Sequence, residues 1–143
     1  KFQLTGRSAA QRDADYRPAQ PPFDTLLLGL RFGDRKVLYN RINCRVDAMI
    51  QAGLLAEAEM VWQNREVYKT AAQAIGYKEF FPYFDEESEL ASCVDKLKQA
   101  TRNYAKRQLT WFGQMEGIHW LEAGDLGLYK QAEAQAKAFL DPD

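Results

Sequence analysis

Residues 96–112, KLKQATRNYAKRQLTWF, gather five cations beside Trp111 and Phe112, and no acidic residue stands between Lys96 and Met115. On a helix, Lys98, Arg102 and Lys106 recur at i, i+4 and i+8, while Lys96, Asn103 and Arg107 form the adjacent row at i, i+7 and i+11. The result is a cationic stripe about three turns long, with no acidic residue between Lys96 and Arg107. A phosphate backbone would use the whole stripe, because each Lys or Arg that meets a phosphate releases condensed counterions. A simpler account also fits. Asp85, Glu86, Glu87 and Glu89 crowd the start of the same segment, so the charges at both ends complement a helix dipole. Gln108 and Thr110 add neutral hydrogen-bonding groups. Trp111 is suited either to stacking on a base or to plugging a core.

A second stretch, AAQAIGYKEF over residues 71–80, places Gly76 where a helix would begin. Backbone N–H groups there could face an anion, with Lys78 reinforcing them. The same pattern also describes a loop-to-helix junction with Tyr77 packed inside. Arg41 and Arg45 lie one turn apart and could clamp a phosphate or pair with Asp47 and Glu57. The lone His119 sits in an apolar stretch and reads as a satisfied core or edge histidine. The sequence holds no GxxxxGK[ST] loop, GxGxxG turn, nucleophile elbow or HExxH pair.

The elements that must position these residues are mostly helical. Asp34 caps a helix that ends at Gly53, with Leu38, Ile42, Val46, Met49 and Ile50 on one face. A second helix follows directly, with Leu54, Leu55, Ala58, Val61 and Trp62 as its core candidates. Tyr77, Phe80, Phe81 and Phe84 predict a third helix from near Gly76, kinked or shortened by Pro82. The longest helix spans 88–112, with Leu90, Val94, Leu97, Thr101, Tyr104 and Gln108 or Leu109 facing inward. A last amphipathic helix covers roughly 125–140.

Residues 24–32, DTLLLGLRF, lack polar alternation and predict a strand buried on both faces. Residues 118–121, IHWL, are the only other candidate strand. The chain of 143 residues has a net charge of −1, so any anion-binding site must be a local patch rather than a global field. Cys44 and Cys93 are far apart and form no CxxC or His/Cys cluster, which argues for reduced thiols rather than a structural zinc. No apolar run approaches the ~18–20 residues of a membrane span.

The ordered series LYNRINCRVDAMIQAGLLAEA, AAQAIGYKEF, LKQATRNYAKRQLTWF and IHWL resembles the tRNA dimethylallyltransferase (tRNA isopentenyltransferase) family. The likeness runs from LTGRS to IHWLEAG, nearly the whole chain. It implies a prenyltransferase that moves a dimethylallyl group from dimethylallyl diphosphate to N6 of the adenosine 3′ of the anticodon. It also implies Mg2+ beside the diphosphate, a base extruded from its stack, and a cytoplasmic location. The fold class it implies is mainly α with one or two short strands, being the C-terminal part of a P-loop-type α/β enzyme. The family's P-loop and catalytic aspartate would precede residue 1, so the fragment alone is expected to be inactive and to bind no cofactor.

Residues 1–23 would form a truncated connector, residues 24–122 part of the catalytic and tRNA-binding core, and residues 123–143 a C-terminal helix. Carried over position by position, the tRNA-contacting residues would be Gln73, Gly76, Tyr77, Lys78, Arg102, Lys106, Arg107, Gln108, Thr110 and Trp111. Arg41 and Arg45 would be diphosphate or channel residues. Gly113 departs from the family's common Arg, which removes one possible phosphate contact. An unpaired apolar strand invites dimerisation. The alternative is a non-catalytic helical module that binds RNA or another partner.

Overall fold

The computed structural model describes residues 6, 8 and 23–141. Except for Gly6, Ser8 and Phe23, the connector read at 1–23 lies outside the described residues. Strand β1 (Leu27–Arg31) leads into α1 (Arg35–Gln51) and α2 (Leu54–Gln63). Two short 3₁₀ turns, Ala71–Gln73 and Lys78–Phe80, precede α3 (Phe81–Phe84) and the long α4 (Leu90–Phe112). Strand β2 (Ile118–Glu122) and α5 (Leu128–Leu140) complete the order. The mainly helical fold with two short strands is as the sequence predicts.

Local chemistry sets the helix ends. The Asp34 carboxylate accepts the Lys36 N–H at 2.7 Å and caps α1. Gly53, at φ 105°, closes α1 and opens α2 in one residue. The corner is tight because only glycine takes that backbone without strain. At the other end of the chain, Asp125 accepts the Gly127 N–H and the Gln131 amide, each at 2.7 Å, at the entry to α5. Those bonds lower the Asp125 pKa, the Gly127 bond most.

The core forms where α1, α2 and α4 meet the 3₁₀ turn. Val46, Leu54, Ala58, Phe80, Cys93 and Leu97 are buried together. The stripes read for α1 and α2 are those that bury. Phe80 is wholly enclosed and is the largest such side chain. Cys93 is buried beside it, whereas Cys44 is exposed.

Three expectations change. The helix predicted from Gly76 is instead a 3₁₀ turn followed by the four-residue α3, with Pro82 in its first turn. Proline has no N–H to donate to a preceding turn, so a helix running through it from Gly76 would lack a bond. Tyr104, read as inward-facing on α4, is 48% exposed and borders the open hollow between α1 and α4 rather than the core.

The third change concerns β1, which is not buried on both faces: Leu28 is 39% exposed and Leu30 60%. Nor is it the unpaired strand that the sequence predicts: its partner is β2, in parallel register from Leu27 opposite Ile118 to Arg31 opposite Glu122. A two-stranded sheet covers little of its own surface, so the leucines stay accessible among the described residues. Gly29 faces Trp120, and a Cβ there would approach the Trp120 ring to 2.8 Å. The Glu122 carboxylate accepts the Gly33 N–H through both oxygens, at 3.0 and 2.9 Å, and so ties the end of β2 to the β1–α1 turn.

Replacing Phe80 with Ala should cost about 3–5 kcal/mol by opening a cavity at the meeting point of four elements. Urea denaturation measures this. A loss no larger than that of an exposed substitution such as Met60→Ala would show that Phe80 is not central.

Candidate nucleic-acid interface

The last two turns of α4 present Lys106, Arg107, Gln108, Thr110 and Trp111 to solvent. Trp111 is 57% exposed and meets Phe112 edge-on, with ring centroids 4.9 Å apart. It is therefore not a core plug. Asn103, Lys106, Arg107, Thr110, Trp111 and Gln114 line an open groove of about 410 Å³. The Arg107 guanidinium lies 5.7 Å from the Tyr104 ring centroid. The groove combines two cations, amides and an indole face, a set suited to a nucleotide's phosphate and base.

The stripe does not continue unbroken toward the start of α4. Lys98 pairs with Asp47 at 2.6 Å, and Arg102 donates to the Asn43 side-chain oxygen at 2.7 Å. Both partners are on α1, which packs against this part of α4. The charge partner of Lys98 is thus supplied across the helix pair. Arg102, predicted as a tRNA contact, is half-buried against α1. Sequence reasoning missed both partners, although Asn43 and Asp47, four apart on one face of α1, match the spacing of Lys98 and Arg102.

The 71–80 segment is held by acids of the chain itself. The Gly76 N–H donates to Glu79 at 2.9 Å, so the donor expected to face an outside anion already has a carboxylate. Gly76 is buried with φ 114°, a backbone region that favours glycine. The Tyr77 hydroxyl donates to Glu57 of α2 at 2.6 Å. That bond raises the Tyr77 pKa, with burial and the Glu57 charge adding to it. Tyr77 also packs against the core. Gln73 and Lys78 are exposed.

Between α1, α4 and this segment lies a larger hollow of about 680 Å³. Ile42, Val46 and Leu97 give it apolar walls, and Arg45, Gly76 and Gln108 also line it. The hollow therefore joins the 71–80 segment to the basic end of α4. Gln73 and Lys78 line neither this hollow nor the groove. Arg41 lies 5.3 Å from the Phe32 ring centroid. The ion pairs considered for Arg41 and Arg45 do not form: Asp47 binds Lys98 and Glu57 binds Tyr77. Among the described residues, no three His, Cys, Asp or Glu side chains gather as a metal site would require. No helix there is long and apolar enough to cross a membrane.

The family described as IPP transferase matches residues 1–115. A tRNA dimethylallyltransferase of Lactobacillus gasseri is 47% identical over 138 residues, covering 96% of this chain and 44% of that protein. One from Lactobacillus johnsonii is 55% identical over 102 residues, 71% of this chain and 33% of its own length. Among solved structures, the Staphylococcus epidermidis tRNA delta(2)-isopentenylpyrophosphate transferase superposes with TM-score 0.74 at 33% identity, covering 98% of this chain and 46% of that one. The Bacillus halodurans tRNA isopentenylpyrophosphate transferase gives TM-score 0.71 at 35% identity, covering 85% and 40%. The chain thus spans less than half the length of these relatives.

The Tyr77–Glu57 bond has a pH signature. A raised tyrosine pKa means the folded chain keeps the proton longer than the unfolded one. Its stabilisation is complete below the ordinary value of 10.0 and is lost as pH rises through the higher folded value. Glu57→Gln should bring the Tyr77 ionisation midpoint down toward that ordinary value, read as tyrosinate absorbance against a Tyr77→Phe blank. An unmoved midpoint would show that the bond does not govern Tyr77.

Proposed function

The chain belongs to the IPP transferase family, and from that premise we propose that it forms the RNA-docking part of a tRNA dimethylallyltransferase. The reaction would move a dimethylallyl group from dimethylallyl diphosphate to N6 of the adenosine 3′ of the anticodon. The adenine nitrogen attacks the allylic carbon, the carbon–oxygen bond to diphosphate breaks, and the nitrogen gives up a proton. The observation that carries the proposal is the exposed Lys106–Trp111 face, joined through Gln108 to the hollow that Gly76 also lines.

The chain's residues fall into binding and positioning roles. Lys106 and Arg107 meet phosphates of the anticodon stem-loop, Gln108 and Thr110 offer neutral hydrogen bonds, and Trp111 stacks on a base. Gln73 and Lys78 extend the contact from the side of the 71–80 segment, while Gly76 and Tyr77 set its backbone path. Arg102 supports this face from beneath through Asn43. Arg45, on the wall of the hollow, and Arg41, one turn before it, are the cations placed to meet a diphosphate. Residues 24–122 form the docking core, and α5 (Leu128–Leu140) follows it.

Mg2+ accompanies the diphosphate in this scheme, but the described residues offer no cluster of acidic or imidazole ligands that fits it. A cytoplasmic setting, with tRNA as the partner, goes with the proposal.

Placing this chain in the Lactobacillus gasseri relative, in exchange for the segment it matches, gives a chimera in which transfer can be followed. Wild-type sequence should support transfer to an anticodon stem-loop. Lys106→Gln with Arg107→Gln should raise KM for RNA by about tenfold or more with a smaller effect on kcat, as expected for lost phosphate binding. An unchanged KM would remove the docking role. A folded chimera that binds RNA yet transfers nothing would favour the non-catalytic binding module.

The 143-residue chain on its own should also self-associate through its accessible strand edges, where Leu27, Leu28 and Leu30 stay exposed. Sedimentation velocity at rising concentration checks this. A monomer throughout would refute it.

A further inference from the structure

A smaller hollow, of about 170 Å³, opens between the first turns of α1 and the last turns of α4. Arg35, Leu38, Tyr39, Lys106, Leu109 and Thr110 line it. Two cations far apart in sequence, Arg35 and Lys106, thus border one small space. Both are exposed, and neither takes part in an ion pair among the described residues. Like charges facing a shared space repel, and an anion between them removes that cost.

Arg35 is also poorly placed for the helix it begins. The first turn of α1 carries no acidic residue, and a cation there opposes the macrodipole. Asp34 is the nearby acid, but its carboxylate is engaged with the Lys36 N–H as the helix cap. The site is continuous with the groove that holds Trp111, because Lys106 and Thr110 line both. Lys106 stands between the two.

We propose that the Arg35–Lys106 hollow is a phosphate subsite, occupied by an RNA backbone phosphate next to the nucleotide that reaches Trp111. The inference rests on the RNA-docking function and adds Arg35, on a different helix, to the contact. Arg35 contributes a planar fork of donors and Lys106 a point charge, with the Tyr39 hydroxyl beside them, whereas the Thr110 hydroxyl already donates to the Lys106 carbonyl at 3.0 Å. A diphosphate has the same chemistry, so the test must separate the two sources.

The experiment measures binding of the 143-residue chain to an anticodon stem-loop RNA across a potassium chloride series. Arg35→Gln, Arg35→Lys and Arg107→Gln are compared with the parent chain. Arg35→Gln should weaken binding several-fold at low salt and flatten the log–log salt slope by roughly 0.7–0.9, the loss of one phosphate contact. Arg35→Lys should keep the slope. Thermal melting should show Arg35→Gln no less stable than the parent, since it removes an unfavourable charge from the start of α1.

A slope unchanged by Arg35→Gln but flattened by Arg107→Gln would overturn this subsite and leave the docking function standing. Failure of the parent chain to bind RNA would instead overturn the docking function itself. Inorganic diphosphate is titrated separately. Loss of diphosphate binding in Arg35→Gln, with RNA binding intact, would assign the hollow to a diphosphate and overturn the RNA occupant.

Discussion

The contact between α1 and α4 decides which charges this chain can offer to a ligand. Asn43 and Asp47 reach across that contact to Arg102 and Lys98. The Lys98–Asp47 pair adds little stability on its own, because Asp47 is half exposed and water screens the attraction. Its consequence is selection. Lys98 and Arg102 are committed to α1, while Lys106 and Arg107 take part in no ion pair among the described residues. A helix with an even cationic stripe becomes one with a structural part and a free end. The apolar packing of Val46 on Leu97 beneath these bonds holds the two helices in the register that makes the division.

The 71–80 segment solves a related problem by opposite means. Its free donors and its tyrosine lie near a cationic surface, and each is satisfied by an acid of the chain itself. Glu79 takes the Gly76 N–H and Glu57 takes the Tyr77 hydroxyl. The segment is therefore pre-formed, so less ordering cost falls on whatever docks against it. Phe80, wholly buried two residues beyond Lys78, anchors it to the core. Exposed Lys78 is thus carried on a fixed backbone rather than on a free loop.

These arrangements mark the boundary of what the sequence made legible. Apolar spacing at 3.6 residues was enough to find α1, α2 and α4, because Ile42, Val46, Leu54, Ala58 and Leu97 bury on the faces their spacing selects. It failed at Gly76, where the aromatic spacing of Tyr77, Phe80, Phe81 and Phe84 mimics a helix. Pro82 and the positive φ of Gly76 break that pattern into a turn and a single helical turn. The strand at 27–31 was legible as a strand but not in its exposure, because burial depends on what lies over a sheet and not on the strand's own residues. The basic run was legible as a site. Its division was not: Asn43 and Asp47 match the spacing of Lys98 and Arg102, but spacing alone does not say that α1 packs on α4.

The net charge of −1 takes on a physical role once the cations are placed. Asp85, Glu86, Glu87 and Glu89 precede α4, and the free cations stand toward its other end, about five turns or ~25 Å away by helical rise. A separation of that size exceeds the Debye length of about 8 Å at physiological salt. The acids therefore neither neutralise the docking end nor bring phosphate to it. They do reduce the chain's general attraction for polyanions. Binding then depends on a nucleic acid that can set phosphates beside Lys106 and Arg107 and also present an unstacked base to Trp111. A regular duplex meets the first requirement and fails the second, whereas a loop meets both. On this balance, selectivity for a looped RNA follows from keeping the cationic end small and placing an indole beside it.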